Sequence, residues 1–452
     1  MFEKNKIYNI EIEDLSSSGE GVGKIDGFTV FVPQAIPGDK VRARITTLKK
    51  RYGIGEILEM VEPSKDRIKP KCSLFGKCGG CQIMHMDYDA QLKMKRNKVE
   101  QTLSRIGKIS TKVNPTIGME NPFEYRNKGQ FPVGIKNNKA IMGAYEMGTH
   151  NIVDTSYCHI QAPVTKIIIK TIKKYIDDFN IEVYDEVKRT GLIRHIVSRF
   201  GFATGDVMVV LVTNGRRLPY KDELIRMLKE NVPGLKSIVQ NINTRNTNVV
   251  LGDETLVLYG EDRIVDYIGD LKFNISSKSF FQVNSIQTKV LYDKVLEYAN
   301  LKGDEVVFDI YCGIGTISLF LAKKAKEVHG VEIVKSAIED AKVNAKINNI
   351  NNAKFYTGKG EDVVPRLYKE GLYADIVVVD PPRKGCEESV LETMVNMAPG
   401  KIIYVSCNPA TLARDLAYLV EGGYKVVEVQ PVDMFPQTTH VECVVLMSRV
   451  GK

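Results

Sequence analysis

The sequence predicts an α/β protein in three parts: a small β-barrel over residues 1–62, a central α/β region carrying a cysteine cluster over 63–270, and a C-terminal domain with a mainly parallel sheet over 271–452. Three observations predict it. The first 62 residues are short strand-like runs punctuated by Gly19, Gly21, Gly23, Gly27 and Gly38, which is a barrel pattern. From about residue 271, apolar runs alternate with helical segments, so ligands are expected at the carboxyl ends of parallel strands. A length of 452 residues also suggests about three domains at roughly 150 residues each.

In chain order, barrel strands are expected at 7–13, 27–32, 39–48 and 55–61, with Pro33 and Pro37 beside the turns. The basic strand and turn formed by Lys40, Arg42, Arg44, Lys49, Lys50, Arg51 and Tyr52 suit a phosphate backbone. A proline-bounded linker follows at 63–70, then the first cysteines, then a helix at 87–106. The middle region has strands at 194–200, 207–213 and 237–243 and a helix at 219–230. In the last part, strands are expected at 306–309, 328–331, 354–357, 376–379, 401–405, 426–429 and 441–447. Helices are expected at 316–324 and 335–348, and another begins near Thr411.

A composition of 43% hydrophobic and 26% charged residues is that of a globular protein. No apolar run reaches about 18 residues, so no membrane span is expected. Residues 1–15 alternate charged and apolar side chains without the apolar core of a signal peptide, and a cytoplasmic location is expected. The net charge of +8 is concentrated: residues 40–108 hold 17 Lys/Arg against 7 Asp/Glu, a local +10 that leaves the remainder at −2. That distribution favours a nucleic-acid partner over a uniformly solvated surface.

Eight cysteines without a secretory signal argue for reduced thiols that bind metal or react. Cys72, Cys78 and Cys81, with Cys158 downstream, suit either zinc or an iron–sulfur cluster, and spacing leaves both open. The five-residue first gap departs from the three-residue gap of radical S-adenosylmethionine enzymes. Gly79 and Gly80 are expected to let the chain bend there.

Four strand ends carry the chemistry. Asp309-Ile-Tyr-Cys-Gly-Ile-Gly315 is a glycine turn that lets a cofactor approach the backbone. Glu332, 17 residues after Gly315, suits ribose hydroxyls; a dinucleotide and S-adenosylmethionine fit this pair equally. Asp380-Pro381-Pro382 forms a rigid elbow, and Arg383 after it, in place of an aromatic residue, argues against methylation of an exocyclic amine. Cys407 precedes a helix start, which is expected to lower its thiol pKa. Glu442 lies between apolar neighbours and is either a salt-bridged surface carboxylate or, in a cleft, a general base with a raised pKa. Most of the other late cysteines, Cys312, Cys386 and Cys443, read as small buried hydrophobes. The histidines lack metal-ligand spacing, although His159 adjoins Cys158. Tyr125-Arg126-Asn127-Lys128 and Arg194-His195 mix aromatic, basic and amide groups that suit RNA, with plain surface loops nearly as good a reading.

Taken together, the barrel, Phe280-Phe-Gln-Val-Asn284, Asp309–Gly315, Asp380–Gly385, Ser406-Cys-Asn-Pro-Ala-Thr-Leu-Ala-Arg-Asp415 and His440-Val-Glu442 resemble one family, the RNA 5-methyluridine methyltransferases of the TrmA/RumA type. The resemblance implies a Rossmann-like S-adenosylmethionine methyltransferase domain behind an OB-like TRAM barrel. It implies that Cys407 is the nucleophile and Glu442 the base, with Gln282, Tyr311, Glu332 and Asp380 contacting S-adenosyl-L-methionine. It also implies that Cys72, Cys78, Cys81 and Cys158 hold a [4Fe-4S] cluster with a structural or RNA-binding role. Thr316 stands where some relatives have Asn, and no role is carried to it. The substrate expected is 23S rRNA, because the tRNA branch generally lacks both barrel and cluster. No obligate protein partner is expected. The alternatives are the same chemistry on tRNA, or a non-catalytic RNA-binding or ribosome-assembly factor, against which the intact Cys407/Glu442 pair argues.

Overall fold

The computed structural model describes residues 3–450; positions 1, 2, 451 and 452, at the outer ends of the first and last expected parts, lie outside the described residues. Strands β1 (Ile7–Leu15), β2 (Gly21–Ile25), β3 (Phe28–Val32), β4 (Lys40–Leu48) and β5 (Tyr52–Glu62) close into a barrel in the order β1-β2-β3-β5-β4. Period-two side chains fill it: Ile10, Ile12, Val30, Val32, Val41, Ala43 and Ile45 are buried. Strand β2 was absent from the expected set because glycine is a poor strand former. Its Gly23 is required by packing, since a Cβ there would stand 2.5 Å from both the Glu11 carbonyl oxygen and Ile10.

Helix α1 (Tyr88–Arg105) follows, capped by the Asp87 carboxylate, which accepts from the Asp89 amide. The central part is β6 (Lys128–Lys136), β7 (Lys139–Tyr145), β8 (Ile152–Asp154), α2 (Val164–Asp178), β9 (Ile193–Phe200), β10 (Val207–Thr213), α3 (Lys221–Asn231), β11 (Leu235–Ile242) and β12 (Glu254–Gly260). Its sheet has the order β12-β11-β10-β9-β6-β7-β8, and only β10 and β11 run parallel. A hairpin of β13 (Arg263–Ile268) and β14 (Leu271–Ser276) comes next, with position 270 in its turn.

The last part runs α4 (Ser285–Ala299), β15 (Val306–Ile310), α5 (Thr316–Ala322), β16 (Glu327–Glu332), α6 (Lys335–Ile347), β17 (Ala353–Thr357), α7 (Gly360–Lys369), β18 (Ile376–Val379), α8 (Glu388–Met397), β19 (Lys401–Ser406), α9 (Pro409–Glu421), β20 (Tyr424–Val432) and β21 (Glu442–Arg449). The sheet order is β17-β16-β15-β18-β19-β21-β20. All pairs are parallel except those of β21, which is antiparallel to β19 and β20. Strand order reverses between β15 and β18, which opens a crevice at their carboxyl ends. The α/β class expected from the sequence is the class of the structure.

Two packing facts differ from the sequence reading. Helix α1 precedes the central sheet in the chain but docks on the C-terminal one: Val99 and Leu103 are buried with Leu412, Leu416 and Val429. Val113 and Ile117 then extend the sheet edge by bridging Val429 and Val432. The basic segment 40–108 is also not one free surface. Lys40 pairs with Glu62 at 2.8 Å, Arg42 with Glu59 at 2.7 Å, Arg67 with buried Asp39 at 2.5 Å and Lys95 with Asp433 at 2.5 Å. Lys49, Lys50 and Arg51 stay exposed at the β4–β5 turn. Among the described residues, no helix is long and apolar enough to cross a membrane.

Candidate active site

The crevice is built by four strand ends. After β15 the chain turns through Tyr311 (φ 71°), Gly313 (φ 56°) and Gly315 (φ 81°) into α5. A Cβ on Gly313 would meet no protein atom within 4 Å, so the loop's open side faces the cavity it lines. Glu332 ends the neighbouring strand; its carboxylate accepts from the Gly313 amide at 3.3 Å and the Val334 amide at 2.8 Å. Those bonds fix the carboxylate beside the glycine loop and leave lone pairs for ligand hydroxyls. Asp380 follows β18 and lines the same cavity, as do Gln282 and Tyr311. Burial raises the Asp380 carboxyl above its usual range.

Strand register brings Cys407 and Glu442 to one end of the sheet. The β19–β21 ladder ends at Ser406 paired with Cys443, so Cys407, just past β19, and Glu442, the first residue of β21, both flank that last pair. Both line the cavity, and the Glu442 charge acts on the Cys407 thiol. Asn408 then caps α9 by accepting from the Ala410 amide at 3.1 Å, and its side-chain amide donates to the Arg383 carbonyl at 2.9 Å. Thr411 donates to the same carbonyl at 3.2 Å. The Asp-Pro-Pro-Arg elbow is thereby tied to the cysteine turn.

Glu442 is 5% exposed. Burial first, then the Asp380 charge, holds its carboxyl well above 4.5, while Arg383 opposes. This is the cleft case, not the salt-bridged surface case. The Cys407 thiol behaves contrary to expectation. Burial, Glu442 and Asp380 push it up to about 11, and Arg383 only partly offsets them. The helix N-terminus is outweighed because two carboxylates and a low-dielectric wall disfavour the thiolate.

All these groups, together with the four early cysteines, line one cavity of about 1390 Å³. Cys72, Cys81 and Cys158 pack beside Met84, Met119, Tyr125 and Ile160, and the Gly80 amide donates to Cys78 Sγ at 3.4 Å. Burial raises the Cys78, Cys81 and Cys158 thiols, with neighbouring thiols adding to each. Gly79 and Gly80 lie in a turn, as expected, at φ that other residues also adopt; the glycine of this loop at positive φ is Gly76 (φ 86°). Gly79 also permits close approach, since a Cβ there would stand 3.1 Å from the Tyr145 carbonyl oxygen. Among the described residues, no three His, Cys, Asp or Glu side chains are grouped to hold a metal ion.

Residues 87–450 match the family model described as tRNA (uracil-5-)-methyltransferase, and residues 2–58 match the TRAM domain. The chain belongs to the tRNA (uracil-5-)-methyltransferase family. An RNA methyltransferase of Clostridium tetani is 54% identical over 449 residues, 99% of this chain and 98% of that protein. One of Halalkalibacterium halodurans is 52% identical over 98% of this chain and 97% of its own length. Among solved structures, the Pyrococcus abyssi tRNA (uracil-54, C5)-methyltransferase in complex with S-adenosyl-L-homocysteine is 30% identical with a TM-score of 0.78, over 97% of this chain and 100% of that one.

Several residues of this family member escape a motif reading. Asp309 is fully buried and its Oδ2 accepts from the Ser318 hydroxyl. Asp415, buried, accepts from the Cys386 amide at 2.8 Å, Tyr404 at 2.5 Å and Arg414 at 2.7 Å, which anchors the loop after Arg383. Asp415 closes the motif that contains Cys407, and that position was its only signal. Arg194 is buried and donates to the carbonyls of Asn243 at 2.7 Å and Arg245 at 2.8 Å, so it braces the central sheet.

Proposed function

We propose that this chain is an S-adenosyl-L-methionine-dependent RNA (uracil-C5)-methyltransferase that forms 5-methyluridine in 23S rRNA in the cytoplasm. The observation that carries it is that Cys407 and Glu442, flanking the last pair of the β19–β21 ladder, line one cavity with Gln282, Tyr311, Glu332 and Asp380. The three parts then divide the work: 1–62 binds RNA, 63–270 holds the cysteine group and 271–452 carries out transfer.

The donor set fits the cofactor. The Glu332 carboxylate stands beside an open glycine loop and keeps lone pairs to spare. S-adenosylmethionine held there supplies the methyl group to uracil C5. Cys407 makes C5 able to accept it. Its thiol gives up its proton to solvent, the thiolate Sγ adds to C6, and the C5–C6 π pair moves onto C5 and the C4 carbonyl as an enolate. After C5 is methylated, Glu442 takes the C5 proton. The electrons of that C–H bond re-form the C5–C6 double bond and expel the Cys407 thiolate. Arg383, which acts on both groups, favours thiolate and carboxylate alike. The base must leave its stack to enter such a cavity.

An iron–sulfur cluster on Cys72, Cys78, Cys81 and Cys158 is supported by the four thiols lining the same cavity, although among the described residues their side chains are not grouped as a metal site as they stand. A cluster held there supplies structure to the middle segment. Anaerobically purified protein should contain iron, and stoichiometric zinc without iron would refute the assignment.

One observation favours a second reading, the same chemistry on tRNA: the Pyrococcus abyssi tRNA enzyme is covered over its whole length by 97% of this chain, barrel region included. Mapping 5-methyluridine in rRNA and tRNA from cells with and without the gene separates the two. Loss of the modification from 23S rRNA alone is the expected result.

A further inference from the structure

Strand pairing brings two cations face to face beside the cavity. The β6–β9 ladder sets Lys128 directly opposite Arg199. Like charges so placed repel, and sheets ordinarily avoid them. Arg126 stands two positions before β6, in a bridge with Gln161, and lines the same cavity as Lys128. Among the described residues, no carboxylate lies within 4.0 Å of the charged nitrogens of Arg126, Lys128 or Arg199. Arg199 is only 3% exposed. Its Nη2 donates to the carbonyls of Ser277 at 3.2 Å and Ser279 at 2.6 Å, and its Nε is buried without a partner. Burial, with Arg199 and Arg126 adding, pushes the Lys128 ammonium down to about 8. By contrast, two other cations of the same cavity wall are engaged: Arg263 with Asp340 at 3.3 Å, and Lys278 with the Asp253 carbonyl.

The cationic group is also placed next to the chemistry. Asn127, between Arg126 and Lys128, donates its side-chain amide to the Gln282 carbonyl at 2.9 Å and its backbone amide to the Val283 carbonyl at 2.8 Å. That ties the start of β6 to the segment carrying Gln282. Arg126 and Lys128 line the cavity that Cys407 and Glu442 also line.

We infer that Arg126 and Lys128 form an anion subsite that takes a phosphodiester of the RNA beside the target uridine, with buried Arg199 behind Lys128 adding positive charge without touching the ligand. The inference rests on the proposed entry of an RNA nucleotide into this cavity. Guanidinium and ammonium groups offer donors and positive charge, and a phosphodiester supplies both the acceptors and the negative charge that match them. The cysteine group is the competing source of negative charge. Iron content and RNA affinity of the variants below separate the two. An unneutralised cation pair is a cost carried by the free protein and removed when a phosphate binds.

The test uses the full-length protein and a fluorescent single-stranded oligouridylate titrated across salt concentrations. Lys128→Gln should weaken binding roughly ten-fold, and the slope of log affinity against log salt should fall by about 0.7, one single-strand phosphate contact. Lys128→Arg should restore both. RNA-free Lys128→Gln should melt higher than wild type, which a merely structural lysine would not do. Arg126→Gln should move affinity and slope in the same direction and serves as the second variant should Lys128→Gln fold poorly. Unchanged affinity and slope in both glutamine variants would overturn the subsite, as would loss of iron from these variants with RNA binding intact. A reduced slope in Lys128→Gln, combined with failure of Cys407 to form any adduct with uridine, would sink the covalent reading while leaving the subsite standing.

Discussion

A carboxylate between Val441 and Cys443, buried at the start of a strand, opposes its own ionisation. Glu442 has its folded pKa raised above 4.5 by burial and by Asp380. The sign follows: a raised carboxyl pKa stabilises the fold fully below the unfolded value and loses that contribution as pH climbs through the folded one. Glu442→Gln removes the ionisation. The melting temperature of Glu442→Gln should therefore match wild type near pH 4.5 and exceed it increasingly as pH rises. A constant gap between the two melting curves across pH would mean Glu442 is not held protonated by its surroundings. Cys407 and Glu442 were both legible as residues, because each sits in a short motif at a strand end. The direction of the Cys407 shift was not legible. It depends on Glu442 and Asp380, which reach the thiol from other strands.

The loop between β20 and β21, which delivers Glu442, is held by elements far away in sequence. Lys95 on α1 donates to Asp433 Oδ1 at 2.5 Å and to the Phe435 carbonyl at 3.1 Å. Both ends of the Lys95–Asp433 pair are completely buried. Gln91 donates to Gln437 Oε1 at 3.1 Å, and Tyr125 to the Pro436 carbonyl at 2.9 Å. Breaking such a pair from one side strands a charge and costs about 3–5 kcal/mol. Lys95→Met should lose about that much in denaturant unfolding, and adding Asp433→Leu should recover most of it. A Lys95→Met protein as stable as wild type would show that Asp433 finds other compensation. The sequence announces α1 through its Asp87 cap and its length, but not the sheet it joins. Helix α2 escaped because Ile167, Ile168, Ile169 and Ile172 read as strand by propensity, whereas burial of Ile168, Ile169, Ile172, Tyr175 and Ile176 follows helical spacing. Helix α4 escaped because its capping residue, Asn284, belongs to a motif read for chemistry.

Across the molecule, the barrel is fixed to the rest of the chain. Asp39 receives Arg67 from the linker at 2.5 Å and the Ser64 amide at 2.9 Å, and the Thr439 hydroxyl donates to the Ser17 carbonyl at 2.9 Å. The turn after β1 therefore touches the loop that leads into Glu442. The central and C-terminal sheets share one core, in which Val210 and Val239 pack with Val307, Val378 and Val444. The N-terminal barrel and the α/β class were readable from composition and spacing, but this continuity was not, because it depends on pairings between distant segments. Neutralising Lys49, Lys50 and Arg51 together should weaken RNA binding and flatten its salt dependence while leaving S-adenosylmethionine affinity unchanged. An unaltered salt slope would place the RNA elsewhere on the surface. The central claim is that Cys407 forms a covalent bond to uracil C6, and an RNA substrate carrying 5-fluorouridine tests it directly, because fluorine cannot leave C5 as a proton does. With S-adenosylmethionine present, wild-type protein should give a denaturant-resistant protein–RNA band that Cys407→Ala does not give. Wild-type protein that methylates ordinary RNA yet forms no such band, or a Cys407→Ala variant that still forms it, would contradict covalent catalysis through Cys407.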